Sequence, residues 1–437
     1  MSKHENIDVR VPINSDSLAI KRDNSKCILC GNCRSVCKYS QGVYERYELE
    51  ENNDRAICID CGQCLMSCPK NAICEVKDYD KVKKILEEKE KMVIFQLAPA
   101  VRVTLGEEFN LGITNVDKKI VNFLRQVGAS YVFDTTYGAD VTVMEEANEL
   151  LERISNNTNL PLYTSCCPAW VKFSKIFYPE IISNLSTCKS PICMMGSLIK
   201  KYFSKKMNIE DDKIVNVAIT PCTAKKDEIK GSDIDYAITT RELATWIKES
   251  KIDFKNISDS DFDFLSGSGA GVIFGASSGV MEATLRTLYY YITGEDLEKI
   301  EFHDLRGIDG IKEAKVNILD YEINVAIVNG TGSFHEFINL AKEKHYDFVE
   351  VMACKGGCIA GGGQIKEENI DDVKMERSIA LYNIDREKIN RYSYKNEMVI
   401  SLYKDLLQTP GSDISLKLLH TKHEKISNVK VKENICL

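Results

Sequence analysis

The sequence predicts an α/β protein: a large domain of mostly parallel sheets flanked by helices, preceded by a small cysteine-dense α+β domain. Three observations predict it. After Lys91, short β-branched apolar runs alternate with longer amphipathic segments. The cysteines divide into a dense group ending at Cys74 and a sparse group beginning at Cys166. Between the groups the charged stretch Lys77–Lys91 carries Val82, Ile85 and Leu86 at helical spacing, which reads as a connecting helix. The division is an extension over 1–23, a small domain over 24–78, a large domain over 79–395, and a C-terminal helix and tail over 396–437.

Within the large domain the predicted strands fall at 92–98, 130–136, 160–166, 215–222, 323–330 and 347–354. In parallel sheets, ligands bind outside the carboxyl ends of the strands. Cys166, Cys167, Cys222 and Cys354 stand where apolar runs stop, so three separated segments deliver thiolates to one crevice. Beyond Ser393 the chain turns polar. Residues 396–407 read as one more helix, and the lysine-rich end after Lys417 as a mobile tail without chemistry.

Seventeen cysteines in 437 residues decide the broad class. No apolar run approaches the roughly 18 to 20 residues that span a bilayer, and the first residues are too polar for a secretory signal, which places the protein in the cytoplasm and off the membrane. In a reducing compartment such a count means metal ligation or redox chemistry before disulfides. A net charge of −8 argues against nucleic acid as a partner, because phosphate neutralisation needs an excess of Lys and Arg.

Cys27, Cys30, Cys33 and Cys37 follow the spacing C-x2-C-x2-C-x3-C, and Cys58, Cys61, Cys64 and Cys68 repeat it, followed by Pro69. This is the two-cluster ferredoxin pattern. Three thiolates of each run wrap one 4Fe-4S cubane and the fourth reaches the other. One cluster is thus assigned to Cys27, Cys30, Cys33 and Cys68, the other to Cys58, Cys61, Cys64 and Cys37. Structural zinc uses two separated pairs and fits poorly. Lys38 replaces the usual proline after Cys37, which is no ligand. Around the first run lie Lys21, Arg22, Lys26, Arg34 and Lys38, opposed by Asp23. They form a basic face for an acidic electron carrier or, equally, a solvated loop.

Three further segments, 164–170 (TSCCPAW), 220–228 (TPCTAKKDE) and 350–364 (EVMACKGGCIAGGGQ), together with QLAPAVR at 96–102 and GADVTVMEEANELLERI at 138–154, resemble the FeFe-hydrogenases (iron-only hydrogenases). The resemblance implies reversible reduction of protons to dihydrogen. It implies that Cys167, Cys222, Cys354 and Cys358 hold a further 4Fe-4S cubane, and that Cys358 bridges it to a diiron subsite with CO, CN and azadithiolate ligands, the H-cluster. Maturation proteins build that group, and ferredoxin or a similar small carrier supplies electrons. Lys225 corresponds to the lysine that bonds a cyanide, Glu228 pairs with Lys225 or a backbone donor, and Lys226 reads as a surface residue. Ala98, Pro99, Phe274 and Met352 line the cavity by the same likeness. Gly356, Gly357, Gly361, Gly362 and Gly363 leave backbone open to close approach by a bulky inorganic group.

The resemblance also makes Cys166 the proton relay, with Glu146, Glu149, Arg153 and Ser186 as the route to solvent. The spacing i, i+3, i+7 of Glu146, Glu149 and Arg153 puts them on one helix face. Taken alone, that face reads as solvated, with a Glu149–Arg153 pair worth about 0.3 to 0.5 kcal/mol. Thr220, Lys355, Ile192 and Ile365 depart from the usual methionine, proline, glutamine and proline. They touch no ligand, and imply a divergent branch with altered rate, bias or oxygen response. Cys188 and Cys193 read as buried small side chains, and Cys74 and Cys436 have no role. Two alternatives share the site: a dihydrogen-sensing regulatory hydrogenase, and an iron-sulfur carrier or assembly protein lacking the diiron subsite.

Overall fold

The computed structural model describes residues 9–298, 301–308, 310–367 and 370–432. Cys436 lies outside them. The small domain pairs β1 (Ile20–Arg22) antiparallel with β2 (Ile73–Glu75) beside the two cysteine runs. The connecting helix forms as Tyr79–Glu88. Tyr79 stacks on Trp246 with centroids 6.5 Å apart, and Lys83 pairs with Glu249 at 2.9 Å, so this helix belongs to the large domain's wall.

The large domain holds two four-stranded sheets. The first has the order β4 (Tyr131–Asp134), β3 (Met92–Leu97), β6 (Ile214–Thr220) and β7 (Tyr236–Thr239), all parallel. The second runs β5 (Leu162–Tyr163), β10 (Phe348–Met352), β9 (Tyr321–Asn329) and β8 (Ile311–Ile318), parallel except for the antiparallel edge strand β8. β3, β6 and β10 are nearly all buried, as parallel strands covered on both faces must be, and this is why they read as continuous apolar runs. No helix among the described residues is long and apolar enough to cross a membrane.

The structure corrects four expectations. The segment after Lys417 docks: Ile426, Val429 and Val431 pack against the core cluster around Trp170, and the amide of Lys432 donates to Arg46 O at 2.8 Å. Lys226 is buried, with Asp78 and Glu242 each at 2.9 Å, because two carboxylates from different elements meet there. The basic face is partly neutralised, since Arg34 and Lys38 both pair with Glu45. Finally, Gly362 and Gly363 admit protein rather than ligand. A Cβ on Gly362 would overlap the carbonyl of Cys61, and one on Gly363 would lie 2.9 Å from the Pro221 backbone.

Candidate active site

The carboxyl ends of β3 and β6 from one sheet face those of β5 and β10 from the other, and a single cavity lies among them. In the first sheet β4 and β6 flank β3 on opposite sides, which is the crevice where α/β sheets bind ligands. Cys166 and Cys167 follow β5, Cys222 follows β6, and Cys354 and Cys358 follow β10; all five line the cavity. Ala98, Pro99, Phe274 and Met352 complete an apolar wall, where the departures Ile192 and Thr220 also stand. Gly357 and Gly361 border it, and Gly357 needs its freedom, with φ at +85° and the Ser277 amide nitrogen 2.6 Å from where a Cβ would stand.

Pro168 starts the helix Pro168–Phe177 and leaves Cys167 as its N-cap. Burial pushes the Cys167 thiol up, while the amides of Ala353 and Trp170 and the charge of Lys225 pull it down. Burial likewise raises Cys354 well above the thiol range and Cys222 to about 12, each beside other thiols of the set. Four converging thiols that burial would keep neutral, none in a disulfide, form an all-sulfur donor set that an iron core relieves of charge. The residues therefore fit a thiolate-ligated cubane.

Lys225 is buried at the cavity wall, where it pairs with Glu228 at 2.7 Å and donates to Cys166 O at 3.1 Å. Burial opposes its charge, but Glu228 with the neighbouring Cys193 and Cys222 together outweigh burial, and its pKa is raised. A fixed ammonium beside thiolates suits an anionic ligand.

Cys27, Cys30, Cys33 and Cys68 line one recess of the small domain. Cys58 lies beside Cys64 and Cys37. Cys61 neighbours Cys354, and Gln63 Nε2 donates to Cys354 Sγ at 3.1 Å and to Ala360 O at 2.9 Å. The second small-domain set thus abuts the cavity and the first is outermost. Gln63, Cys61 and Gly62 form a junction that spacing did not reveal.

The helix Thr136–Asn156 places Glu146, Glu149 and Arg153 on one face. Glu146 is fully buried with Oε2 unpartnered, and its pKa is pushed up to about 8, first by burial and then by Glu149. Cys166 is raised well above the thiol range by burial and then by Glu146, its neighbour. Ser186 Oγ donates to Glu149 Oε2 at 2.8 Å, and Arg153 pairs with Glu149 Oε1 at 2.6 Å. The face is therefore buried, not solvated. Cys188 and Cys193 are buried too, though Cys188 Sγ also reaches Glu149 Oε2 at 3.8 Å.

Residues 91–362, more than half of the chain, match the family described as iron only hydrogenase large subunit, C-terminal domain. Residues 371–425 match the iron hydrogenase small subunit, and 19–69 a 4Fe-4S dicluster domain. The chain is 40% identical over 452 aligned residues to Iron hydrogenase 1 of Clostridium pasteurianum, covering 97% of this chain and 78% of that protein. It is also 40% identical over 361 residues to the periplasmic Fe hydrogenase large subunit of Nitratidesulfovibrio vulgaris, covering 79% and 86%. The FeFe-hydrogenase HydA1 from Chlamydomonas reinhardtii, as a glutamate-to-alanine variant, superposes with a TM-score of 0.71 at 33% identity, over 80% of this chain and 99% of that one. A weaker likeness, 26% over 403 residues, 84% of this chain and 83% of the other, is to cytosolic iron-sulfur assembly component 3 of Bos taurus.

Proposed function

This chain belongs to the iron-only hydrogenases, and on that premise we propose that it exchanges electrons with a ferredoxin or similar small carrier in the cytoplasm, and passes protons through Cys166. It is a hydrogenase oxidoreductase with 4Fe-4S clusters and an H-cluster. Cys167, Cys222, Cys354 and Cys358 would hold the H-cluster, and the two interleaved small-domain sets the remaining cubanes. When bound, the H-cluster supplies the redox chemistry that joins two protons and two electrons as dihydrogen.

The observation that carries the proton route is the buried file of Cys166, Glu146, Ser186 and Glu149 leading from the cavity wall. Glu146 is poised to hold a proton near neutral pH and to release it toward Cys166, the proton-carrying match a general acid needs. Ser186 links Glu149 to Glu146, and Arg153 fixes the Glu149 carboxylate. Lys225 orients an anionic ligand from the far wall, and the apolar lining of Ala98, Pro99, Phe274 and Met352 keeps bulk water out. An assembly protein has no use for such a file.

Dihydrogen evolution from reduced methyl viologen tests the reading, using anaerobic chain coexpressed with the maturation proteins beside chain made without them. Evolution in the matured sample alone is expected. No gas from either, with full cubane iron, would transfer the assignment to the sensor or assembly class.

A further inference from the structure

The file described above, on which this inference rests, meets an obstacle past Glu149. The Arg153 guanidinium is a donor only and has no lone pair with which to accept a proton. Its terminal nitrogens donate to Glu149 and to the main-chain oxygens of Asn159, Ser183, Asn184 and Leu185, at 2.6 to 3.4 Å. Arg153 positions Glu149 but cannot hand it protons.

Another hydrogen-bonded line leaves the same carboxylate. Thr187 Oγ1 donates to Glu149 Oε1 at 3.3 Å and lies 2.7 Å from Nδ1 of His420. Nε2 of His420 lies 3.1 Å from Glu145 Oε2. Tyr403 and the Gly411 amide hold Glu145 at 2.6 and 2.9 Å. Glu145, Glu149, Thr187 and His420 line a cavity of about 240 Å³ whose rim includes the exposed Glu152. His420 comes from the C-terminal segment that composition left without chemistry, and is pinned where Lys189 N donates to Leu419 O.

We propose that His420 is the outer proton-uptake station of this enzyme, acting on the buried route through Thr187 and Glu149. A proton from the cavity is taken up at Nε2. The ring gives its Nδ1 proton to Thr187 Oγ1, and the Thr187 hydroxyl proton passes to Glu149 Oε1. One proton enters, one leaves, and nothing is oxidised; exchange with cavity water returns the ring to its first tautomer. Imidazole is the side chain whose charge ordinarily changes between pH 5 and 8, which suits it to collect protons. The charged and titratable groups around it are Glu145, Glu149, Glu152 and Arg153 from the helix Thr136–Asn156, Cys188 and Lys189 from the preceding loop, and Tyr403 behind Glu145. On its own segment Lys417 and Lys422 are exposed.

The test follows viologen-driven evolution by matured enzyme from pH 5.5 to 8.5 for the parent, His420→Gln, Thr187→Val and Thr187→Ser. His420→Gln and Thr187→Val are expected to lose about tenfold or more, flatten the pH profile between 6 and 8, and raise the solvent deuterium isotope effect. Added imidazole restores His420→Gln, and the hydroxyl of Thr187→Ser restores the profile lost in Thr187→Val. Melting curves and cluster spectra show which variants are folded; should His420→Gln not fold, the Thr187 pair decides. A profile and isotope effect parallel to the parent in folded variants would overturn the proposal. Glu149→Gln separates the two readings: if it abolishes turnover while these variants do not, only His420 fails, and if it too is harmless, the whole route fails.

Discussion

Replacing Glu146 with Gln isolates the proton-carrying step from the fold. Glu146 is buried, its Oε2 has no partner, and burial followed by the Glu149 charge pushes its pKa up to about 8. At pH 7 the folded protein therefore holds it protonated by about ten to one, and Gln reproduces its shape and neutrality. Stability at pH 5, close to the unfolded value, should change by no more than about 1 kcal/mol, whereas loss of a positioned proton donor costs on the order of 10² to 10⁴ in rate. Stability also carries a sign. Below the unfolded value of 4.5 both states keep the proton. Between 4.5 and about 8 only the folded state keeps it, so the stabilisation present at low pH drains away as pH rises through that window. Gln has no such dependence. The variant should melt progressively higher relative to the parent from pH 5 to pH 8.5, by an amount corresponding to a few kcal/mol at most. The assay pairs viologen-driven evolution with anaerobic melting at both pH values. Evolution within threefold of the parent, with cubane spectra intact, would refute the route, and a pH-independent melting difference would refute the buried, protonated state.

Three further outcomes follow from particular contacts. Lys226→Met strands the Glu242 and Asp78 carboxylates and should cost about 3 to 5 kcal/mol, read as a lower melting temperature; an unchanged melt would mean that the pair is not buried as described. Gln63→Leu removes the N–H donated to Cys354 Sγ and should lower the midpoint potential of the adjoining cubane in a redox titration followed by electron paramagnetic resonance, while a fixed potential would disconnect Gln63 from that thiolate. With Arg34 and Lys38 tied to Glu45 and Lys26 to Asp23 at 3.4 Å, docking of an acidic carrier falls chiefly to the exposed Lys21, so Lys21→Glu should slow ferredoxin-driven but not viologen-driven evolution at low salt; equal slowing of both would exclude docking there.

What the sequence disclosed follows from how each element is buried. β3, β6 and β10 announce themselves because both faces are covered. β8 was missed because it is a half-exposed edge strand whose IKEAKVNI pattern looks polar, and β7 because four residues give no periodicity. The cysteine runs carry their own spacing, so the grouping of Cys27, Cys30, Cys33 and Cys68 around one recess was legible before the fold. The wall of Ala98, Pro99 and Phe274 came only from family likeness, since nothing local marks an apolar residue as facing a cavity. Composition misread the C-terminal segment: alternate residues Val429 and Val431 pack inward while lysines face out, and charge masked the apolar row. Two adjacent lysines gave no sign that Lys225 and Lys226 would both be buried, because their partners lie on other elements as well as their own.

The junction between the domains yields the last prediction. Electron exchange with the cavity requires the inner cysteine set of the small domain to lie close to it, and backbone contact at glycines, with the side chains of Gln63 and Arg241, sets the distance. Gly62 has φ at +71°, and its α-carbon would lie 2.6 Å from a Cβ on Gly362. The carbonyl of Cys61 would overlap that same Cβ. Every obstructing atom is backbone, so no rotamer change relieves the clash and the domains must separate. Arg241 resists by bonding Gly362 O at 2.5 Å while pairing with Glu75 at 3.0 Å, which ties both sides of the junction. Gly362→Ala should therefore cost about 1 to 3 kcal/mol, as overpacking does, and slow evolution driven through the small domain, with iron content unchanged. Parent-like melting and turnover in Gly362→Ala would show that the junction yields easily, and that close backbone approach does not govern communication between the small domain and the site.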